Sequence, residues 1–139
     1  MILLDTNVLS EFMRPAPNGR VRDWLNQHPA STLFISSISR AEISYGIELL
    51  PDGKRKTVFT KAASDIFYLF ADRSLPFGDL ASNEYGKIMA SRRQRGRPID
   101  TIDAQIAAIA LAHNLALATR NTRDFADIPK LELINPWNR

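Results

Sequence analysis

Four acidic residues stand at predicted element ends of this chain, where carboxylates could share a metal ion. Asp5 follows the apolar residues Met1 to Leu4, and Glu42, Asp103 and Asp124 lie beside other element ends. Unit charges about 4 Å apart repel by about 4 kcal/mol at an effective dielectric of about 20, so converging acids need a cation or partial protonation. Oxygen ligands without a histidine or thiolate set favour Mg²⁺, or Mn²⁺ in its place, over Zn²⁺.

Such a metal site is suited to phosphodiester hydrolysis. Protein-bound Mg²⁺ usually keeps several waters, and one of them can act as the nucleophile. We expect Asp5 and Asp103 to bind the metal directly, and Glu42 and Asp124 to complete its ligand shell or to orient the attacking water. No covalent enzyme intermediate is required.

Three polar residues beside these acids are candidates for holding them in place. They are the hydroxyls of Thr6 and Thr119 and the amide of Asn7. Hydrogen bonds from such neighbours orient metal ligands in many proteins. Ordinary hydrogen bonding at strand ends is the alternative explanation for each of the three.

Three of the four acids also have a purely structural interpretation. Asp5 could cap the short helix that Val8 and its apolar neighbours predict. The segment Ser39 to Glu42 fits a capping box, and Asp103 could be an acid in the first turn of a helix capped by Asp100. Helix capping is also preferred over a second metal ion for Asp100. The joint placement of all four acids is what favours a site.

The order of predicted elements places these acids on one edge of a sheet. Short apolar runs at residues 1–4, 33–35, 73–77, 115–118 and 131–134 predict strands, and helical spacing of apolar residues fills the segments between them. Strands that alternate with helices form a parallel sheet, and parallel sheets bind ligands at their carboxyl edge. We therefore predict a three-layer α/β/α sandwich with a central parallel sheet.

Composition restricts the class of protein. The chain has 139 residues, 45% of them hydrophobic, which is typical of one globular domain. It has no cysteine, which excludes disulfides and thiolate metal sites. No apolar run approaches the roughly 18 residues of a membrane span, and the start lacks the pattern of a signal peptide. We expect a soluble, cytoplasmic protein without a membrane partner.

The charge of the chain is compatible with a polyanionic partner without requiring one. The net charge is +3 and the pI is about 9.5. The densest basic run spans residues 92–97, where Arg93 and Arg95 could contact RNA phosphates. The alternative is a solvated helix end, since cations are favoured at helix carboxyl termini.

Four segments in this order carry a resemblance to a known family: Leu3–Leu9, Arg40–Glu42, Asp103–Ala108 and Ala118–Phe125. Together they resemble PIN-domain ribonucleases over nearly the whole chain. The resemblance is closest to the VapC toxins of toxin–antitoxin pairs, including their FitB-like branch, whose endings are similar to Asn135–Trp137.

The resemblance implies a single PIN domain over residues 1–139 with Mg²⁺-dependent endoribonuclease activity. It implies a homodimer, or a higher assembly with its cognate antitoxin, whose extended tail would cover the catalytic groove; operator DNA would be contacted only through the antitoxin. The most constant acids of the family correspond to Asp5, Glu42 and Asp103. The fourth is best matched by Asp124, although some relatives have an acid where this chain has Asn121.

Two other classes of protein are alternatives. A phosphatase of the haloacid dehalogenase type also has an acid after its first strand, but that family usually has a second acid two residues later, where this chain has Asn7. Signalling receivers place adjacent acids after their first strand, and this chain has Asp5 alone. A non-enzymatic RNA- or protein-binding module with the same fold remains open.

Overall fold

Five short parallel strands form the centre of the protein, described here by a computed structural model of residues 1–138. The strands are β1 (Ile2–Leu4), β2 (Leu33–Ser36), β3 (Ser74–Leu75), β4 (Ala116–Ala118) and β5 (Leu133–Ile134). They are ordered β3-β2-β1-β4-β5, and all four neighbouring pairs are parallel. The chain therefore leaves β1 in one direction along the sheet and later returns on its other side. The crevice between β1 and β4 is the topological switch point, where open α/β sheets bind ligands.

Helices connect the strands and cover both faces of the sheet. They are α1 (Thr6–Phe12), α2 (Gly19–Asn26), α3 (Ser37–Glu48), α4 (Lys54–Leu69), α5 (Asp79–Gln94) and α6 (Thr101–Ala112). Three 3₁₀ turns add Ala30–Thr32, Thr122–Phe125 and Pro136–Asn138. Within residues 1–138, no helix combines the length and the apolar character that a membrane crossing requires.

The two faces of β1 belong to two separate hydrophobic clusters. Ile2 and Leu4 pack in a cluster with residues of α1, α2, α3 and α4, whereas Leu3 packs in a cluster with α5 and α6. Successive residues of a strand point to opposite faces, so an uninterrupted apolar strand must be covered on both sides. The predicted three-layer sandwich with a parallel sheet is confirmed.

Some helix starts and strand lengths differ from the predictions. The start of α3 is Ser37 rather than Ser39, because the hydroxyl of Ser36 caps it and accepts a bond from the Ser39 N–H at 3.1 Å. Strand β3 has two residues instead of the five expected in 73–77. Hydrophobic periodicity locates an element but fixes its ends poorly, because capping depends on side-chain orientation.

Candidate active site

Asp5 lies at the switch point and is almost completely buried, with 4% of its surface exposed. Its backbone N–H donates to the carbonyl of Ala118 at 2.9 Å, which joins the ends of β1 and β4. One carboxylate oxygen accepts from the Thr6 N–H at 2.8 Å, so Asp5 does cap α1. The other oxygen accepts from the Thr119 hydroxyl at 2.7 Å. Capping therefore uses only one side of this carboxylate.

Thr119 and Asn7 both form hydrogen bonds with the Asp5 carboxylate. The Thr119 side chain is fully buried, and its hydroxyl oxygen accepts from the Asn7 amide at 3.3 Å and from the Asn121 N–H at 3.0 Å. The Asn7 amide also reaches Asp5 at 3.3 Å, and its oxygen accepts from the Arg120 N–H at 3.2 Å. These bonds link the carboxyl end of β1 to the loop after β4.

Glu42 lies in the second turn of α3, not in its first turn as predicted. The capping-box interpretation of Glu42 is wrong, since Ser36 rather than Ser39 caps the helix. The Glu42 carboxylate instead accepts from the Thr6 hydroxyl at 2.5 Å, and the Thr6 and Ser39 hydroxyls lie 2.8 Å apart. Thr6, the residue next to Asp5, thus connects Glu42 to the carboxyl end of β1.

Asp103 and Asp124 approach from the other side of the sheet. Asp103 is half-buried in the first turn of α6, whereas the capping bond of that helix comes from Asp100, which accepts from the Ile102 N–H at 3.1 Å. Asp124 is exposed in the 3₁₀ turn Thr122–Phe125. Capping accounts for Asp100, as expected, but it does not account for Asp103.

Burial and the charges of neighbouring acids disfavour the ionised forms of Asp5 and Asp103. Burial is the largest of the effects that raise the pKa of Asp103 from 3.8 to about 6, and the charges of Asp5, Asp100, Asp124 and Glu42 contribute the rest in that order. Burial also raises the pKa of Asp5. Hydrogen bonds from Thr119 and Thr6 oppose that rise, while Glu42 and Asp124 add to it. Charges that repel in this way are stabilised by a cation.

Three of the four acids line one or the other of two cavities. The larger, which we call the α6 cavity, has a volume of about 430 Å³ and is lined by Asp100, Asp103, Asp124, Arg92, Arg97, Pro98, Ile99 and Arg123. The smaller, the α3 cavity, has about 230 Å³ and contains Thr6 and Glu42 beside apolar residues such as Ile43 and Phe59. Acids and arginines therefore line the first cavity together, while polar and apolar side chains are mixed in the second.

The donor set fits a hard cation, although the side chains are not oriented around one. Within residues 1–138, no three acidic, histidine or cysteine side chains stand close enough together to share a metal ion. The physical reason is visible in their hydrogen bonds, because Asp5 faces Thr119 and Glu42 faces Thr6. The chemistry of the donor set still suits the ion, because carboxylate oxygens are the ligands that Mg²⁺ prefers.

The basic run at residues 92–97 is exposed from Arg93 onward, as a solvated helix end would be, but its first residue is not. Arg92 is buried, with 5% of its surface exposed. Arg95 donates to the Asp127 carbonyl at 3.2 Å, and Arg97 forms an ion pair with the Asp127 carboxylate. Arg93 is exposed. Sequence reasoning missed Arg123, which lines the α6 cavity beside Asp124, because it stands alone between polar residues.

Residues 2–131 match the PIN domain family, and the chain belongs to that family. Three relatives are similar along nearly the whole chain. The plasmid stability protein StbB of Pseudomonas syringae is 42% identical over 99% of both chains. VapC ribonuclease Y4jK of Sinorhizobium fredii is 39% identical over 99% of this chain and 98% of its own. Toxin FitB of Neisseria gonorrhoeae is 41% identical over 99% of both.

Solved structures give the same result. The crystal structure of FitAcB from Neisseria gonorrhoeae has a TM-score of 0.90 and 41% identity, covering all of both chains. VapBC2 from Rickettsia felis, bound to a DNA fragment from its promoter, has a TM-score of 0.83 and 29% identity over 97% of this chain and 98% of that one. A toxin-antitoxin complex from Klebsiella pneumoniae has a TM-score of 0.72 and 25% identity, with 98% coverage of each chain. The predicted resemblance to VapC and FitB ribonucleases is confirmed.

The raised pKa of Asp103 predicts a pH-dependent cost to stability. Between pH 4 and pH 6 the folded protein holds a proton that the unfolded chain has released, so the free energy of unfolding falls as pH rises through that window. The shift corresponds to at most about 3 kcal/mol, which solvent screening reduces to about 1 kcal/mol at this half-exposed group. We expect Asp103→Asn to raise the free energy of unfolding by about 1 kcal/mol at pH 7, and urea unfolding at several pH values measures it.

The control for Asp103→Asn is Asp65→Asn, because Asp65 is an exposed acid on α4 that pairs with Lys61. It should change stability little across the same pH range. A clear loss of stability in Asp103→Asn at pH 7 would show that the acid serves the start of α6 instead.

The buried hydroxyl of Thr119 offers a second test of the site. Thr119→Val keeps the shape of the side chain but removes the donor to Asp5 and the acceptor of the Asn121 N–H. We expect a loss of about 1–3 kcal/mol in the free energy of unfolding and a further rise in the pKa of Asp5. Urea unfolding and an NMR titration of the Asp5 carboxyl carbon measure the two effects. Thr119→Ser keeps the hydroxyl, and equal effects of both variants would contradict this role.

Proposed function

We propose that this chain is a Mg²⁺-dependent endoribonuclease toxin that a cognate antitoxin inhibits. The observation that carries the proposal is the crowding of Asp5, Glu42, Asp103 and Asp124 at the switch point, where burial together with the neighbouring charges raises the pKa of Asp103 to about 6. The relatives support the same chemistry, since one is named a ribonuclease and another a toxin. The acids supply the metal site, and the family supplies the class of substrate.

The arrangement of the acids suggests a division of roles. Asp5 and Asp103 would bind Mg²⁺, or Mn²⁺ in its place, because they are the two acids whose burial and mutual repulsion a cation relieves most. Glu42 and Asp124 would complete the shell or orient the attacking water. A bound ion supplies Lewis-acid chemistry by offsetting the negative charge that gathers on the phosphate in the transition state.

The remaining residues act on the acids rather than on RNA. Thr119, Asn7 and Thr6 keep Asp5 and Glu42 at fixed positions through the hydrogen bonds described above. Donors of this kind maintain a carboxylate in its ionised form, which is the form that binds metal. Thr119 has the largest effect on the pKa of Asp5 among the groups that lower it.

Arginines around the α6 cavity provide a path for the RNA backbone. Arg123 lines the cavity beside Asp124, and Arg93 is exposed on the neighbouring end of α5. Both would contact phosphates that flank the cleaved bond, as sequence-independent cations do in nucleic-acid complexes. Arg95 would add positive charge at a position already held by its bond to Asp127.

The solved complexes of relatives and the exposed hydrophobic side chains of this chain support a proposal about its binding partners. Similar chains occur in a toxin-antitoxin complex and in a complex bound to promoter DNA. The α3 cavity borders Glu42, and large hydrophobic side chains are exposed on α3, at its C-cap and on α4: Tyr45, Leu49, Tyr68 and Leu69. Surfaces of this kind are usually covered by partner chains. We propose a cytoplasmic homodimer that binds its antitoxin here and reaches operator DNA only through that partner.

Removal of the acid at the switch point should abolish cleavage. In Asp5→Asn we expect the rate of RNA hydrolysis to fall about 100-fold or more, because a direct metal ligand is lost. The measurement is cleavage of a labelled single-stranded RNA by purified protein, with MgCl₂ and with EDTA. Asp65→Asn is the matched control, since it removes the same charge from an exposed site on α4.

Two outcomes would contradict the nuclease proposal. Cleavage that persists in EDTA would exclude a metal-dependent reaction. Wild-type protein that binds RNA with no Mg²⁺-dependent cleavage would favour a binding module with the same fold. Circular dichroism and size-exclusion chromatography of Asp5→Asn would show that lost activity is not lost folding.

The inhibitor should be a small protein encoded beside this chain. We expect the product of an adjoining small reading frame to copurify with the chain and to suppress Mg²⁺-dependent cleavage in stoichiometric amounts. Titration of the purified product into the cleavage reaction measures this inhibition. Tyr45→Glu on exposed α3 should weaken the complex while cleavage continues, because charge placed in an apolar interface is costly. Undiminished cleavage at excess partner would overturn the assignment.

A further inference from the structure

Arg92 is a buried cation beneath the loop that carries Asp124. It lies in the last turn of α5 and has 5% of its surface exposed. One terminal nitrogen of its guanidinium donates to the carbonyls of both Asp124 and Ala126 at 2.8 Å, and the other donates to the carbonyl of Arg97 at 3.4 Å. Its Nε–H is buried with no hydrogen-bond partner. None of the ion pairs formed within residues 1–138 includes Arg92.

The burial of the Arg92 guanidinium is unfavourable for stability alone. A charged group removed from water is costly unless an opposite charge or a full set of hydrogen bonds compensates it. Arg92 has only backbone carbonyls as acceptors, and one N–H remains unsatisfied. A well-packed apolar side chain at this position would avoid that cost. The guanidinium therefore has a role that an apolar side chain could not fill, because it binds two carbonyls of one short turn.

Electrostatic repulsion favours displacement of the turn that Arg92 holds. Asp124 is exposed, and its charge repels those of both Asp103 and Asp5. The turn is a single 3₁₀ segment, and its regular backbone bonds are few, with the Asp124 N–H donating to Asn121 at 3.0 Å. Phe125 anchors the turn in the core, but a buried ring does not set the direction of the preceding side chain. The guanidinium binds the carbonyl of Asp124 itself.

We propose that Arg92 is a positioning residue that holds Asp124 against the repulsion of the other acids, so that Asp124 can take part in metal binding. This inference rests on the proposed metal-dependent function and goes beyond it by assigning a role to a basic residue that contacts neither metal nor RNA. Arg92 acts through the backbone of the turn. Its contribution to metal affinity must therefore disappear when Asp124 no longer provides a ligand.

The test is a double-mutant cycle on Mn²⁺ affinity, with Arg92→Met, Asp124→Asn and the combined variant, measured by isothermal titration calorimetry. We expect Arg92→Met to weaken Mn²⁺ binding about 10-fold, as is typical for a residue that orients a ligand. In the Asp124→Asn background the same change should have almost no further effect, because its target is absent. Arg92→Lys retains the positive charge and can still donate to a carbonyl of the turn. It should therefore retain part of the Mn²⁺ affinity that Arg92→Met loses.

Arg73→Met is the matched control. Arg73 also donates its guanidinium to backbone carbonyls, those of Leu33 and Leu69 at 2.9 Å and that of Ala30, but at the amino edge of the sheet. Its loss should lower the melting temperature and leave Mn²⁺ affinity unchanged. An equal loss of affinity in Arg73→Met, or an Arg92→Met effect that is undiminished in the Asp124→Asn background, would overturn the proposal.

A metal-free readout separates this inference from the proposed function. Hydrogen exchange of the Asp124 and Ala126 amides should become about 10-fold faster in Arg92→Met and stay unchanged in Arg73→Met. If wild-type protein binds no Mn²⁺, the metal function fails while the exchange data still decide whether Arg92 holds the turn. Unchanged exchange at both amides would refute the role of Arg92 even if the metal binds. Arg92→Lys serves for both measurements if Arg92→Met does not fold.

Discussion

The buried carboxylate of Asp5 is the constraint on which the rest of the site depends. It lies where β1 and β4 diverge, and burial alone would favour its neutral form. The fully buried Thr119 hydroxyl and the Thr6 N–H oppose that tendency by donating to its two oxygens. These donors come from two different strand ends. The parallel sheet is therefore what allows one acid to be both buried and available as an anion.

The other acids are held by elements that are unrelated in sequence. Glu42 comes from α3 and Asp103 from α6, which lie on opposite faces of the sheet, and both reach its carboxyl edge. Burial and the repulsion among the acids raise the pKa of Asp103 and oppose folding at neutral pH. The two hydrophobic clusters offset that opposition. The protein thus tolerates electrostatic repulsion among these acids at a position where a bound cation would relieve it, and this relief would contribute to binding.

Much of this arrangement could be predicted from local patterns, and the exceptions have physical causes. The apolar runs at β1 and β4 and the periodicity of α6 located the strands, the helix and the acids beside them. The capping box at Ser39 to Glu42 was misleading, since two serines, Ser36 and Ser39, compete for the role of cap and only packing decides between them. The basic run was equally ambiguous, because its composition does not reveal that Arg92 turns inward.

By itself, the order of residues determined the parallel three-layer fold, the four candidate acids and the resemblance to PIN-domain ribonucleases, because periodicity and motif spacing are properties of neighbouring residues. Only the tertiary structure decided that Thr6 bonds to Glu42, that Thr119 bonds to Asp5, and that Arg92 holds the turn of Asp124. These contacts join residues from 32 to 114 positions apart. The direction of a side chain across such distances depends on how whole elements pack, which no local pattern contains.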